Sequence, residues 1–267
     1  MKYVKHAVSA LIIIALGLYA FVFSSALTGT LTKYNASVDD QGVCRVPANI
    51  KRIADECFNG NTKLAQVVFE GDKVVSIGAR AFSACYSLRS IEIPDSVTSI
   101  GVHAFAYCES LRSIKLPSSL TSVSRGAFMG CMALKSVVIP VSATVIEDRA
   151  FDNCVALPSV KLPDSLVSIG NEAFCASGLR SVVIPASVTS IGDYAFCRCS
   201  ALASASIPDS VISIGVSAFG ECKDLKSVAV PASVGSIGRN AFSGIPVVYY
   251  SGSAEGSPWG AEKCARR

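Results

Sequence analysis

Nine phenylalanines recur along the chain at nearly equal intervals: Phe58, Phe82, Phe105, Phe128, Phe151, Phe174, Phe196, Phe219 and Phe242, with spacings of 24, 23, 23, 23, 23, 22, 23 and 23. Between them one pattern of apolar and polar positions repeats, L-x-x-[IV]-x-[IVL]-P-x-S-[VL]-x-S-I-G-x-x-A-F-x-x-C-x-x, with a complete copy starting at Leu88. Ile91 and Ile93 alternate with polar neighbours, which predicts a short strand with one buried face. Pro94, Pro117, Pro140, Pro163, Pro185, Pro208 and Pro231 end that strand by removing an N–H donor. A second apolar pair, such as Val97 and Ile100, turns inward beyond the proline, and Gly follows it in six of nine copies. Ala54, Ser124 and Glu147 replace that Gly, so no positive φ is obligatory there and the position reads as a turn where Gly is convenient. The adjacent Ala and Phe read as core, Ala keeping neighbouring units close and Phe filling the interior.

One such unit buries too few side chains to offset the entropy of ordering its own backbone, so a single copy cannot fold. Stacked copies share walls, and a ladder of nine strands at ~4.8 Å would run on the order of 40–45 Å. The fold class expected is therefore a repeat solenoid of 23-residue units, with short parallel strands, mainly β and irregular coil.

The repeated I-P-x-S-V-x-S-I-G-x-x-A-F-x-x-C core resembles the leucine-rich repeat of the BspA-like, or treponemal, type, over roughly residues 44 to 245. The stretch from Pro246 through Tyr249, Tyr250 and Trp259 is similar to the closing segment of that family. The resemblance implies surface or secreted proteins of bacteria or protists that act in adhesion, aggregation and host contact, and it implies no catalysis. Departures from the pattern predict local irregularities. The first copy has Cys57 in place of Ala and no Cys three residues after Phe58, as suits a capping unit; Glu70-Gly71 replaces Pro with one residue added; Phe174 to Leu179 is one residue short.

Ahead of the repeats, Lys2 and Lys5 precede an apolar run from Ala7 to Phe23 and then Ser24-Ser25-Ala26, the layout of an export signal cleaved after Ala26. Left uncleaved, residues 7–23 could anchor the chain in a membrane, being only slightly shorter than a bilayer span. The domain organisation expected is a signal peptide at 1–26, an N-terminal segment and capping repeat at 27–57, the solenoid at 58–245, and a C-terminal cap and tail at 246–267. The expected address is exported: cell surface, secreted or periplasmic.

Composition narrows the function classes. The 267 residues are 51% hydrophobic and only 16% charged, which excludes intrinsic disorder. The formal charge is +4, two of it from Lys2 and Lys5, and no basic block occurs before Arg266-Arg267, so a nucleic-acid partner is not expected. The only histidines are His6 and His103, which excludes a multi-histidine metal site and leaves little for a Ser-His-Asp triad; no cofactor is implied. His103 falls at a variable repeat position and reads as surface loop.

Eleven cysteines could suggest disulfides, but Cys85, Cys108, Cys131, Cys154, Cys199 and Cys222 share one repeat column and read as a buried ladder of thiols. Cys175 and Cys197 each follow a core Phe directly, in neighbouring copies, and form a possible pair outside that ladder. Cys44 and Cys264 fall in the caps. No C-x-x-C occurs, so zinc is not expected.

If the first strand of each repeat presents the binding face, its outward columns are readable. One is Ser90, Ser113, Ser136, Ser159, Ser181, Ser204 and Ser227; the column before it is Arg89, Arg112, Lys135, Pro158, Arg180, Ala203 and Lys226; the column beyond the next aliphatic is Glu92, Lys115, Val138, Lys161, Val183, Ser206 and Ala229. A serine stripe beside basic residues suits a protein or an anionic glycan. Val138 and Val183 leave open a second reading, a carrier or sensor of a small apolar ligand, and a structural envelope scaffold is a third. Tyr249, Tyr250 and Trp259 are expected to cap the open end of the core.

Overall fold

A computed structural model describes residues 29–255 and 258–265. The segment 1–26, with the export-signal reading, lies outside the described residues. The chain winds into a parallel β-solenoid, and no helix occurs among the described residues.

Most coils contribute to two strand ladders. The first runs through Val43–Val46, Gln66–Phe69, Ser90–Glu92, Ser113–Lys115 and Ser136–Val138 as one five-stranded parallel sheet. It resumes as Ser181–Val183 with Ser204–Ser206, and again as Ser227–Ala229, Val247–Tyr249 and Lys263–Ala265. The second ladder, beyond the prolines, consists of two-residue strands such as Ser76–Ile77, Ser99–Ile100, Ser168–Ile169 and Ser190–Ile191. It breaks between Ser99–Ile100 and Ser122–Val123. There Ser124 stands in the Gly column, and its hydroxyl donates to the Ile100 carbonyl at 2.5 Å, where Gly101 donates its backbone N–H to Ile77.

A third wall carries the Ala-Phe pair. From Phe58 to Phe219, each core Phe donates its N–H to the carbonyl of the Ala that precedes the next core Phe, at 2.7–2.9 Å. Two residues per coil on this wall take positive φ, as Arg80 (52°) and Ala84 (55°) do. Each such residue costs about 1 kcal/mol, and the forward hydrogen bonds of the same residues, Arg80 to Val102 and Ala84 to Ala106, offset it. Side chains from all three walls meet inside. The nine phenylalanine rings stack face to face, with centroids 5.1–5.9 Å apart and planes within 13°.

The Gly column corrects the reading of mere convenience. None of its six glycines has positive φ, as expected, but each lies against the backbone of the preceding coil. A Cβ on Gly192 would sit 2.6 Å from the Gly170 carbonyl carbon and 2.7 Å from the Asn171 nitrogen, whereas a Cβ on Gly235 would meet nothing within 4 Å. Gly192→Ala should therefore cost about 2 kcal/mol in urea unfolding and Gly235→Ala almost nothing. Equal effects would show that coil spacing is not what selects Gly192.

The short repeat is irregular in two places, at Gly178 within the expected stretch from Phe174 to Leu179 and at Pro158 outside it. Coil 157–178 has no first strand, because Pro158 has no N–H to offer the Lys135 carbonyl, while Lys135, Arg112 and Arg89 each donate theirs to the coil before. The missing residue draws Gly178 onto the Val155 carbonyl, where a side chain would not fit.

Candidate binding face

The alternation of buried Ile or Val with exposed neighbours turns every second strand residue of the first ladder outward, as in the exposed-buried-exposed pattern of Ser90–Glu92 and Ser113–Lys115. Direct register stacks Ser90 on Ser113 and Ser113 on Ser136, and places Glu92 beside Lys115 and Lys115 beside Val138. Arg89, Arg112 and Lys135 enter these three strands in succession, and all three are exposed. Register also puts Arg45 in the Glu92 column, through Val68. Arg45 was missed because the first repeat lacks the Ser that marks the column; counting two residues back from Pro47 would have found it. The five-stranded sheet and the residues that flank its strands thus present Arg45, Arg89, Arg112, Lys115 and Lys135 against the two carboxylates Glu70 and Glu92. Among the described residues the ion pairs join Arg52 to Asp55, Arg80 to Glu56 and Arg149 to Glu172, so none engages these five cations. Ser90, Glu92, Ser113, Lys115, Ser136 and Val138 line a groove along the face, and Asp39 and Asp40 border another at the Arg89 edge.

The rest of the expected face does not join this sheet. Lys161 is exposed but lies in irregular chain, and it falls between Val138 and Val183 in the column order. Those two valines are 59% and 71% exposed, in different sheets and two coils apart, about 10 Å at ladder spacing. They form no common apolar patch. Arg180 adjoins the strand pair that follows the break, and the Lys226 ammonium donates to the Lys223 carbonyl at 2.8 Å.

The thiol ladder is present. Cys85, Cys108, Cys131, Cys154, Cys199 and Cys222 are fully buried and unbridged, and each donates its S–H to a core Phe carbonyl of an earlier coil at 3.1–3.2 Å. Burial raises all six thiols, Cys85 to about 12, so they are poor nucleophiles. In the short coil Ser177 takes the ladder position and meets the Cys199 sulfur at 3.2 Å.

One aromatic expectation needs correction. Tyr250 and Trp259 are buried and close the core edge to face, centroids 5.2 Å apart, but Tyr249 points outward and is 39% exposed. Its place in Val247–Tyr249 alternates it away from the interior. His103 lies in a surface turn at intermediate exposure; its ring fills the space above Gly126, and burial, followed by Arg125, Arg80 and Arg149, lowers its pKa.

A solenoid with a polar strand face, broken at Pro158, and an interior packed with side chains is a repeat scaffold. The chain belongs to the BspA type leucine rich repeat region family, whose pattern matches residues 42–154 and 121–247 in six copies. No curated protein matches it. Among solved structures it is similar to a leucine-rich repeat protein from Bacteroides ovatus ATCC 8483, at 26% identity and TM-score 0.50, covering 85% of each chain. It is also similar to a leucine-rich repeat protein from Eubacterium ventriosum ATCC 27560, at 19% identity and TM-score 0.56 over 82% of this chain and 70% of that one. The pneumococcal vaccine antigen PcpA shares the fold at 21% identity and TM-score 0.55, over 79% of this chain and 62% of the other.

Proposed function

We propose that the protein is an exported, non-catalytic binding protein that recognises an acidic macromolecule, a protein or an anionic glycan, through the five-stranded face. The observation that carries this reading is the stack Arg89, Arg112 and Lys135, spaced by ladder register and joined by Lys115 and Arg45, with no ion pair among the described residues drawing these charges off. Cations at ~4.8 Å intervals match a partner whose acidic groups repeat along a line. Many weak contacts over a rigid sheet supply the affinity, and the serine column adds hydroxyls that both donate and accept. The order of charge, apolar run and small residues in 1–26 supports export, which would put this face at the cell surface or outside the cell.

The test is binding of the protein to acidic extracellular-matrix proteins and sulfated glycans at ~0.05 and ~0.3 M salt, a range over which exposed charge pairs are screened. Reversal of Arg89, Arg112 and Lys135 together to Glu should weaken salt-sensitive binding about tenfold or more. The fold should survive, since only the backbone of these residues takes part in the ladder. Unchanged affinity in a folded triple variant would sink the proposal.

A further inference from the structure

Cys175 and Cys197 lie outside the thiol ladder, each directly after the core Phe of its coil. The backbone holds them in register. Phe174 donates its N–H to the Ala195 carbonyl at 2.8 Å, Ala176 donates to the Cys197 carbonyl at 2.7 Å, and the Phe174 and Phe196 rings stack 5.4 Å apart. Register partners in a parallel ladder have α-carbons about 4.8 Å apart, inside the roughly 4.4–6.8 Å that a disulfide spans. Cys175 is partly exposed; Cys197 is buried, though not sealed as the ladder cysteines are, and the next residue in its column is Gly220, which has no side chain. The two thiols interact directly: the Cys175 thiol favours the Cys197 thiolate and lowers its pKa, with help from Arg198 and against burial, Glu221 and Glu172. The same contact, with burial and Asp152, raises Cys175. The ladder cysteines differ on each count, since their sulfurs are sealed inside and donate to Phe carbonyls.

We propose that Cys175 and Cys197 form a reversible disulfide that staples coil 157–178, the one without a first strand, to the coil that follows it. The oxidant is a low-molecular-weight disulfide. The Cys197 thiolate attacks one of its sulfurs, forms a mixed disulfide and releases one thiolate. Cys175 gives its proton to solvent and attacks the Cys197 sulfur, expelling the second thiolate. The two protein thiols lose two electrons in all, and the external disulfide is reduced to two thiols. The location gives the bond its purpose. Pro158 leaves this coil without the backbone bond that its neighbours donate to the coil before, and a covalent tie on the phenylalanine wall fixes this less tightly held coil to the coil after it. This inference is independent of the binding face.

The experiment equilibrates the full chain in mixtures of oxidised and reduced glutathione, alkylates the free thiols, and maps tryptic peptides by mass. Cleavage after Lys161, Arg180 and Arg198 separates Cys175 in 162–180 from Cys197 in 181–198, and both from Cys199 and Cys222 in 199–223. The expected result is a reducible link between 162–180 and 181–198 lacking two hydrogens, while the ladder cysteines alkylate only after denaturation. The oxidised protein should melt about 5 °C higher than the reduced one, and Cys175→Ser should abolish that difference. Ser fits the position, since Ser83 and Ser243 occupy it in other coils. Free Cys175 and Cys197 across the whole oxidising range, a link through Cys199 or Cys222 instead, or a link with no shift in melting would each overturn the proposal.

Discussion

Phe151→Ala should destabilise the solenoid by about 4 kcal/mol, the largest loss expected from any single truncation in its interior. Phe151 is fully buried and stacks on Phe128 at 5.4 Å and on Phe174 at 5.3 Å. Removing the ring leaves a gap that the neighbours cannot close. Their spacing is set by the backbone bonds of the same wall, Phe128 to Ala150 at 2.9 Å and Phe151 to Ala173 at 2.8 Å, and collapse would break those bonds. Phe151→Leu keeps much of the volume and should lose less than about 1.5 kcal/mol. Equilibrium urea unfolding of the two variants measures the difference. Equal, small losses from both would mean that the ring stack is not what holds the coils together.

Trp259→Ala should cost about 3 kcal/mol, but locally. Trp259 takes the place that Ala holds in other coils: its carbonyl accepts the Phe242 N–H at 3.1 Å, and its ring nitrogen donates to the Glu255 carbonyl at 2.6 Å. Its ring packs edge-on against Tyr250, whose hydroxyl donates to the Val234 carbonyl at 2.6 Å. Without the indole the end of the phenylalanine stack meets water. In a solenoid each coil touches only its neighbours, so the damage should fade with distance. Native-state hydrogen exchange should show amides around Phe242 losing protection while those around Phe105 keep theirs. Uniform loss along the chain would indicate a single cooperative unit in place of stacked ones.

The interior was legible in the residues because one side chain per column repeats: Phe, Ala, Leu and Cys positions are all buried where the period puts them. The second ladder was harder to see, since Ser-Ile is too short to read as a strand until neighbouring copies are paired. The positive-φ positions were invisible. Arg80, His103, Arg149, Glu172 and Tyr194 share one backbone conformation with no common side chain, because hydrogen bonds between coils impose it and local preference does not. Of the binding columns, outward direction followed from alternation, but continuity did not. In the sequence Pro158 is one variant in a column, and only the pairing of strands shows that its missing N–H divides the face.

The hydrogen bonds between coils have a consequence for how such a chain can change its length. On the strand walls the residue that enters a strand donates back to the preceding coil in most coils, though not at Pro158, while residues such as Ile184 and Val230 that leave a strand donate forward. On the phenylalanine wall the core Phe donates forward to its successor. Every interior coil therefore offers its two neighbours complementary sets of groups. Duplicating or deleting a whole unit by recombination leaves all of these bonds closed and moves the two ends apart or together by one strand spacing, about 4.8 Å. Loss of a single residue has no such general solution, and the chain needs Gly178 pressed onto the backbone beside it to absorb one. The reach of the molecule is thus a quantity that inheritance can alter in whole steps while the chemistry of each step stays the same.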